Sequence, residues 1–153
     1  MIALTLALAL VQGPPRESLG VFGGWGAFRD TAPRRCFAIA SPVQRRRQAF
    51  ASIASWPGQG ARNQLHIRLG RARRADARVT LAIGERRFQL LAGERDAWSP
   101  DAATDRAIVA AIRTSRSMTV ESLAANGAPF ADAYRLSGAA TAIDAAGVGC
   151  AAR

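Results

Sequence analysis

The chain contains no Lys, a single His (His66) and only two Cys, Cys36 and Cys150. One imidazole excludes metal sites built on several His, and two thiols exclude a four-thiolate zinc site. No cofactor is expected. Aromatic residues are only 7% of the chain, too few and too scattered to form the stacking rows that single-stranded nucleic acid uses. No apolar run approaches the roughly 20 residues that a membrane-spanning helix requires. The Gly-rich segment Gly20–Gly26 is not followed by the Gly-Lys-Ser/Thr of a phosphate-binding loop. No Gly-x-Ser-x-Gly elbow accompanies His66, so a Ser-His-acid triad has no sequence support.

The 153 residues suit one domain, and 49% hydrophobic with 21% charged residues suits a globular one. Twenty-one basic residues face eleven acids, giving +10. The exclusive use of Arg fits GC-rich codon usage and carries no functional message. The surplus charge is a separate matter, because it is local. From Arg34 to Arg87 there are 13 Arg and only two acids, Asp76 and Glu85, while the remainder is close to neutral. Much of the surplus falls in two loops, Arg45-Arg46-Arg47 and Arg71 to Arg78. Arg45, Arg46, Arg47, Arg71, Arg73 and Arg74 are the candidate donors to phosphate or carboxylate on an anionic partner.

Ile2 to Val11 is almost wholly apolar and reads as the core of a secretory signal covering residues 1–13. Residues 14–18 read as a polar linker, and residues 19–153 as the domain. Export favours a disulfide between the two Cys, which would close a loop of roughly a hundred residues and contribute about 4.7 kcal/mol in the chain-entropy model. The alternative is two free buried thiols.

The elements follow from periodicity. Leu19–Phe28 reads as a strand with a bulge at Gly23-Gly24, followed by strands at Cys36–Ala40 and Phe50–Trp56. Leu65, Ile67 and Leu69 alternate with His66 and Arg68, so His66 is expected to point outward. Val79–Ile83 and Phe88–Leu90 form a hairpin about Gly84-Glu85. Ser99 is a candidate helix cap, with Pro100 at the first helical position and Asp101 in the first turn. Ile108, Ala111 and Ile112 then share one face. Strands at Met118–Glu121 and Ala133–Leu136 flank an Asn126-Gly127 turn, and Ala139–Ala146 suits a short helix ending at Gly147. The fold class is therefore mainly β: an antiparallel sandwich or partly closed barrel of about seven to eight strands, one helix over about 100–114 and a short C-terminal helix. Trp25, Trp56 and Trp98 read as core or hairpin-closing residues.

The segment Trp98–Val109, with Phe88–Leu91 before it, resembles the invasion-associated locus B family of alphaproteobacterial exported proteins. Gly23-Gly24-Trp25, Cys36–Pro42, Arg62–Ile67, Tyr134–Gly138 and Ala142-Ile143-Asp144 before the final Cys line up with that family in order, over about residues 19–150. The resemblance implies a β-rich single domain, exported to the periplasm or outer membrane, in a family whose founding members are linked to bacterial entry into host cells. It implies no catalytic residues. The family's usual acid is replaced by Gly24, and its charged spacer before the last Cys by Ala145–Gly149.

The expected function is thus non-enzymatic: an exported envelope protein whose Arg face meets an anionic component, lipopolysaccharide or phospholipid head groups, or an envelope protein. The rivals are a small hydrolase and a basic nucleic-acid-binding protein. A cleft gathering His66, Asp96 and Asp105 would favour the hydrolase.

Overall fold

The computed structural model describes residues 15–46 and 48–151. The expected signal segment, and Arg47, lie outside the described residues. Ten strands form: β1 (Arg16–Phe22), β2 (Trp25–Thr31), β3 (Arg34–Ala40), β4 (Phe50–Trp56), β5 (Ala61–Arg68), β6 (Val79–Ile83), β7 (Arg86–Ala92), β8 (Asp96–Trp98), β9 (Ser117–Leu123) and β10 (Pro129–Arg135). Two helices join them, α1 (Ala102–Thr114) between β8 and β9, and α2 (Ala139–Ala151) after β10.

All ten strands pair antiparallel in one sheet, in the order β1-β2-β3-β4-β5-β8-β7-β6-β9-β10. The strand number exceeds the expected seven to eight for two reasons. Gly23-Gly24 makes a full turn between β1 and β2 instead of a bulge. The three-residue β8 was too short to show a period, yet it bridges β5 and β7. Arg16, Glu17 and Ser18, expected in a linker, open β1, and the Arg16 guanidinium pairs with Asp30 across the strands at 2.7 Å.

The inner face of β2 to β10 forms a single core, against which Leu19 and Phe22 of β1 pack. Trp25, Ala38, Ile53, Leu65, Ile67, Leu81, Val120 and Tyr134 are at most 2% exposed. α2 covers this inner face over β1 to β4, while α1 covers β5 to β7. α2 presents Ala139, Ala142, Ile143, Ala146 and Gly149 to the sheet, mostly small residues that allow close packing. It continues through Gly147 to Ala151 rather than stopping at Gly147.

The disulfide Cys36–Cys150 is formed, with its Cα atoms 5.7 Å apart and a sequence separation of 114. It fixes the last turn of α2 to β3. Arg29 and Arg34 donate to the carbonyls of Gly149 and Cys150 at 3.0 and 2.6 Å. These cations satisfy helix-end carbonyls that have no intrahelical partner.

No ladder joins β1 to β10 among the described residues, so strand pairing does not close the sheet. Its far end is nevertheless tied to its beginning. The Trp25 indole N–H donates to the Arg135 carbonyl at 2.8 Å, and the Val43 N–H to the Ala133 carbonyl at 2.7 Å. Gly23 and Gly138, both at positive φ (56° and 85°), let the β1–β2 turn press on the junction after β10. A Cβ at Gly138 would strike the Phe22 carbonyl, and one at Gly23 the Ser137 carbonyl.

α1 begins one turn signal later than expected. Asp101, not Ser99, is the N-cap, its Oδ1 accepting from the Thr104 N–H at 2.7 Å. The Ser99 hydroxyl donates to the Asp101 carbonyl at 3.0 Å.

Candidate functional site

The six Arg chosen from the sequence do not form one open face. Arg73 is turned inward on its own loop. Its Nε donates to the Gly93 carbonyl at 2.9 Å, and its Nη1 to the carbonyls of Arg74, Ala75 and Ala77 at 3.0, 2.8 and 2.6 Å. Its Nη2 reaches the Ala92 carbonyl at 3.2 Å. A guanidinium so occupied is a clasp between the 71–78 loop and the β7–β8 connection, not a free anion donor. Arg74 pairs with Asp76 at 2.6 Å. The Arg74 guanidinium beside Asp76 holds that carboxyl below the usual range.

Arg46 reaches across to the inner face of β10, where its Nε lies 3.3 Å from Asp132 Oδ1. That approach is an ion pair without the alignment of a hydrogen bond. Asp132 is only 1% exposed and also accepts from the Gly70 N–H at 2.7 Å. Two residues on, the fully buried Tyr134 hydroxyl has no hydrogen-bond partner among the described residues, and burial, with Asp132 adding to it, pushes this phenol well above its usual range.

Arg45 and Arg71 are exposed, and neither has an ion-pair partner among the described residues. Arg45 shares a concavity of about 360 Å³ with Arg135, an exposed residue at the end of β10, and with Gly24 and Ala40 to Val43. Sequence reasoning missed Arg135. Alternation along β10 points it outward, but its nearness to Arg45 depends on how the sheet's ends meet.

His66 does point outward, as alternation predicts. It sits on β5 between Ser52 of β4 and Trp98 of β8 as cross-strand neighbours. Its Nε2 lies 2.8 Å from Asp96 Oδ1, and Arg68 Nη1 donates to Asp96 Oδ2 at 2.6 Å. The imidazole stacks on Trp98 with ring centroids 5.6 Å apart and planes 10° from parallel. Phe50 meets it edge-on at 5.2 Å. Trp98 is 43% exposed, which corrects its reading as a core or hairpin-closing residue. Trp25, by contrast, is wholly buried.

His66, Trp98 and Trp56 line a cleft of about 580 Å³ together with Arg35, Arg62, Gln64 and the start of α1. Asp105 also lines it, although it is only 6% exposed. Its Oδ1 accepts from the Leu65 N–H at 3.0 Å. Burial pushes the Asp105 carboxyl above the usual range, opposed by the Leu65 and Ser99 hydrogen bonds. The cleft therefore gathers His66 and Asp105, with Asp96 bound behind His66 and not itself lining it.

Among the described residues no cluster of three His, Cys, Asp or Glu could hold a metal ion, and no helix is long and apolar enough to cross a membrane. Comparison with family models, curated proteins and solved structures finds no match to this chain.

Proposed function

We propose that this is a non-enzymatic, exported envelope domain of the invasion-associated locus B type, periplasmic or attached to the outer membrane. It docks phosphate-bearing head groups, of phospholipid or lipopolysaccharide, on the concavity between Arg45 and Arg135. One observation carries this reading: two exposed guanidinium groups, without acidic partners among the described residues, line a single concavity. The Cys36–Cys150 bridge supports the compartment, because such bonds persist mainly where the surroundings are oxidising. The sequence motifs of the resemblance also fall at working positions: Gly23 at the close turn, Trp25 in the core, Asp101 at the cap.

The test is vesicle binding. The chain should bind phosphatidylglycerol vesicles or lipopolysaccharide and ignore neutral phosphatidylcholine, and binding should weaken as salt rises to physiological strength. The Arg45→Glu/Arg135→Glu chain should lose binding, and Arg71→Ala should lose less. Binding indifferent to salt or to the double substitution overturns the docking site. Mass spectrometry of the native N-terminus tests export: a cytosolic chain retaining Ile2 to Val11, with free thiols, overturns it and returns nucleic acid as the partner.

The hydrolase reading keeps one specific support, the His66–Asp96 contact at the Asp105 cleft. A nucleophile is what it lacks. Among the described residues no hydroxyl hydrogen-bonds to His66, although Ser52 is its cross-strand neighbour. Turnover of an ester substrate that His66→Asn abolishes would replace the binding reading with this one.

A further inference from the structure

The cleft at His66 shares no lining residue with the Arg45–Arg135 concavity. Its volume of about 580 Å³ falls in the range of small-molecule sites. Two indoles, Trp56 and Trp98, supply apolar wall, and Trp98 keeps 43% of its surface exposed while its ring stacks on His66. The polar groups are unequal. Both acids of the cleft are turned to backbone donors, Asp101 to Thr104 and Asp105 to Leu65. Arg35 lies over the Phe37 and Trp56 rings at 4.2 and 5.7 Å and pairs with Asp30 at 3.2 Å. Arg62 and Gln64 are exposed at the cleft, and neither side chain has a hydrogen-bond or ion-pair partner among the described residues. What the cleft offers a ligand is therefore aromatic wall, an amide and a free guanidinium. That combination complements an anion carried on a ring.

We propose that this cleft binds a small ring-bearing carboxylate, with the ring against Trp56 and Trp98 and the carboxylate on Arg62. An aromatic acid and an acidic sugar both meet this description: each has an apolar ring face and a planar carboxylate. The site is independent of the head-group concavity and can fail or stand without it.

The experiment is calorimetric titration of the full, oxidised chain with benzoate and with glucuronate, each beside its uncharged counterpart, benzyl alcohol and glucose. At least one carboxylate should bind, roughly tenfold or more tighter than its counterpart, as expected for a charge-assisted contact. The better of the two carboxylates identifies the source as an aromatic acid or a sugar acid. Arg62→Ala should weaken binding by roughly tenfold at an unchanged melting temperature. Trp98→Ala should weaken it as well, and Arg71→Ala and the Arg45→Glu/Arg135→Glu chain should leave it intact. Failure of both carboxylates to bind, equal binding of the uncharged rings, or full binding by Arg62→Ala overturns the proposal.

Discussion

The two Arg-rich segments look alike in sequence and behave differently in the fold. In the 71–78 loop, Arg73 is consumed by five backbone carbonyls and Arg74 by Asp76, which leaves Arg71 and Arg78 open. In the β3–β4 connection, Arg46 turns in to the buried Asp132 while Arg45 stays on the surface beside Arg135. A guanidinium carries five N–H donors. In a loop with few side-chain acceptors it can serve as the loop's own scaffold before it serves any partner. Formal charge therefore overstates the charge available for docking, and the surplus that remains is set by which carbonyls and acids each Arg can reach.

The sharpest way to break this comparison is Arg73→Ala. If Arg73 is a clasp, its loss leaves the carbonyls of Ala92 and Gly93 with fewer donors and frees the 71–78 loop. The expected cost is about 3 kcal/mol, reduced from a larger sum because the more open carbonyls regain water. For a domain of this size that lowers the melting temperature by roughly 6–12 °C. Unchanged melting together with lost vesicle binding would return Arg73 to the docking face. Arg46→Ala comes next, at about 2 kcal/mol, because it strands a carboxylate on the inner face with the Gly70 N–H as its remaining donor among the described residues. Adding Asp132→Asn should recover part of that loss, and a double-mutant cycle in urea measures the coupling. Additive costs would mean that the pair does not interact.

Much of the architecture was legible because period and capping are local. Alternation in Leu65–Leu69 placed His66 outward, the Gly84-Glu85 turn placed β6 against β7, and cysteine count with an export-like leader placed the bridge. What could not be read depends on contacts between distant segments. Three residues of β8 carry no period, yet they set Asp96 beside His66 and Arg68. Ser99 and Asp101 are both good caps, and the choice between them follows from where β8 ends. Trp98 has the same composition signal as Trp25, but one lies on the outer face and the other on the inner. Arg135 joins Arg45 only because Trp25 and Val43 tie β10 to the start of the sheet. The segments Arg62–Ile67 and Trp98–Val109 supply much of the cleft's wall, but that they face one another follows from the pairing of β5 with β8, which neither segment shows alone.

The smallest effect separates Arg74 from Arg45. Both side chains sit at the surface, but only Arg74 has an acid beside it, and the hydrogen bond to Arg74 is the main cause of the depressed Asp76 carboxyl. A depressed folded-state pKa means that the pair stabilises the fold above the ordinary Asp range of about 4, and that this contribution disappears as pH falls through the folded value. Asp76 is fully exposed to solvent, so screening leaves little of it in the melting temperature. The titration is the sensitive readout. In a carboxyl-detected NMR titration, Arg74→Ala should return Asp76 toward its ordinary value, and added salt should do part of the same in the unaltered chain. Arg45→Ala should move no carboxyl, because none of the described residues pairs with it, while still weakening vesicle binding. An Asp76 midpoint unmoved by Arg74→Ala would mean that Arg74 is as free as Arg45, and the contrast between the two loops would then rest on Arg73 alone.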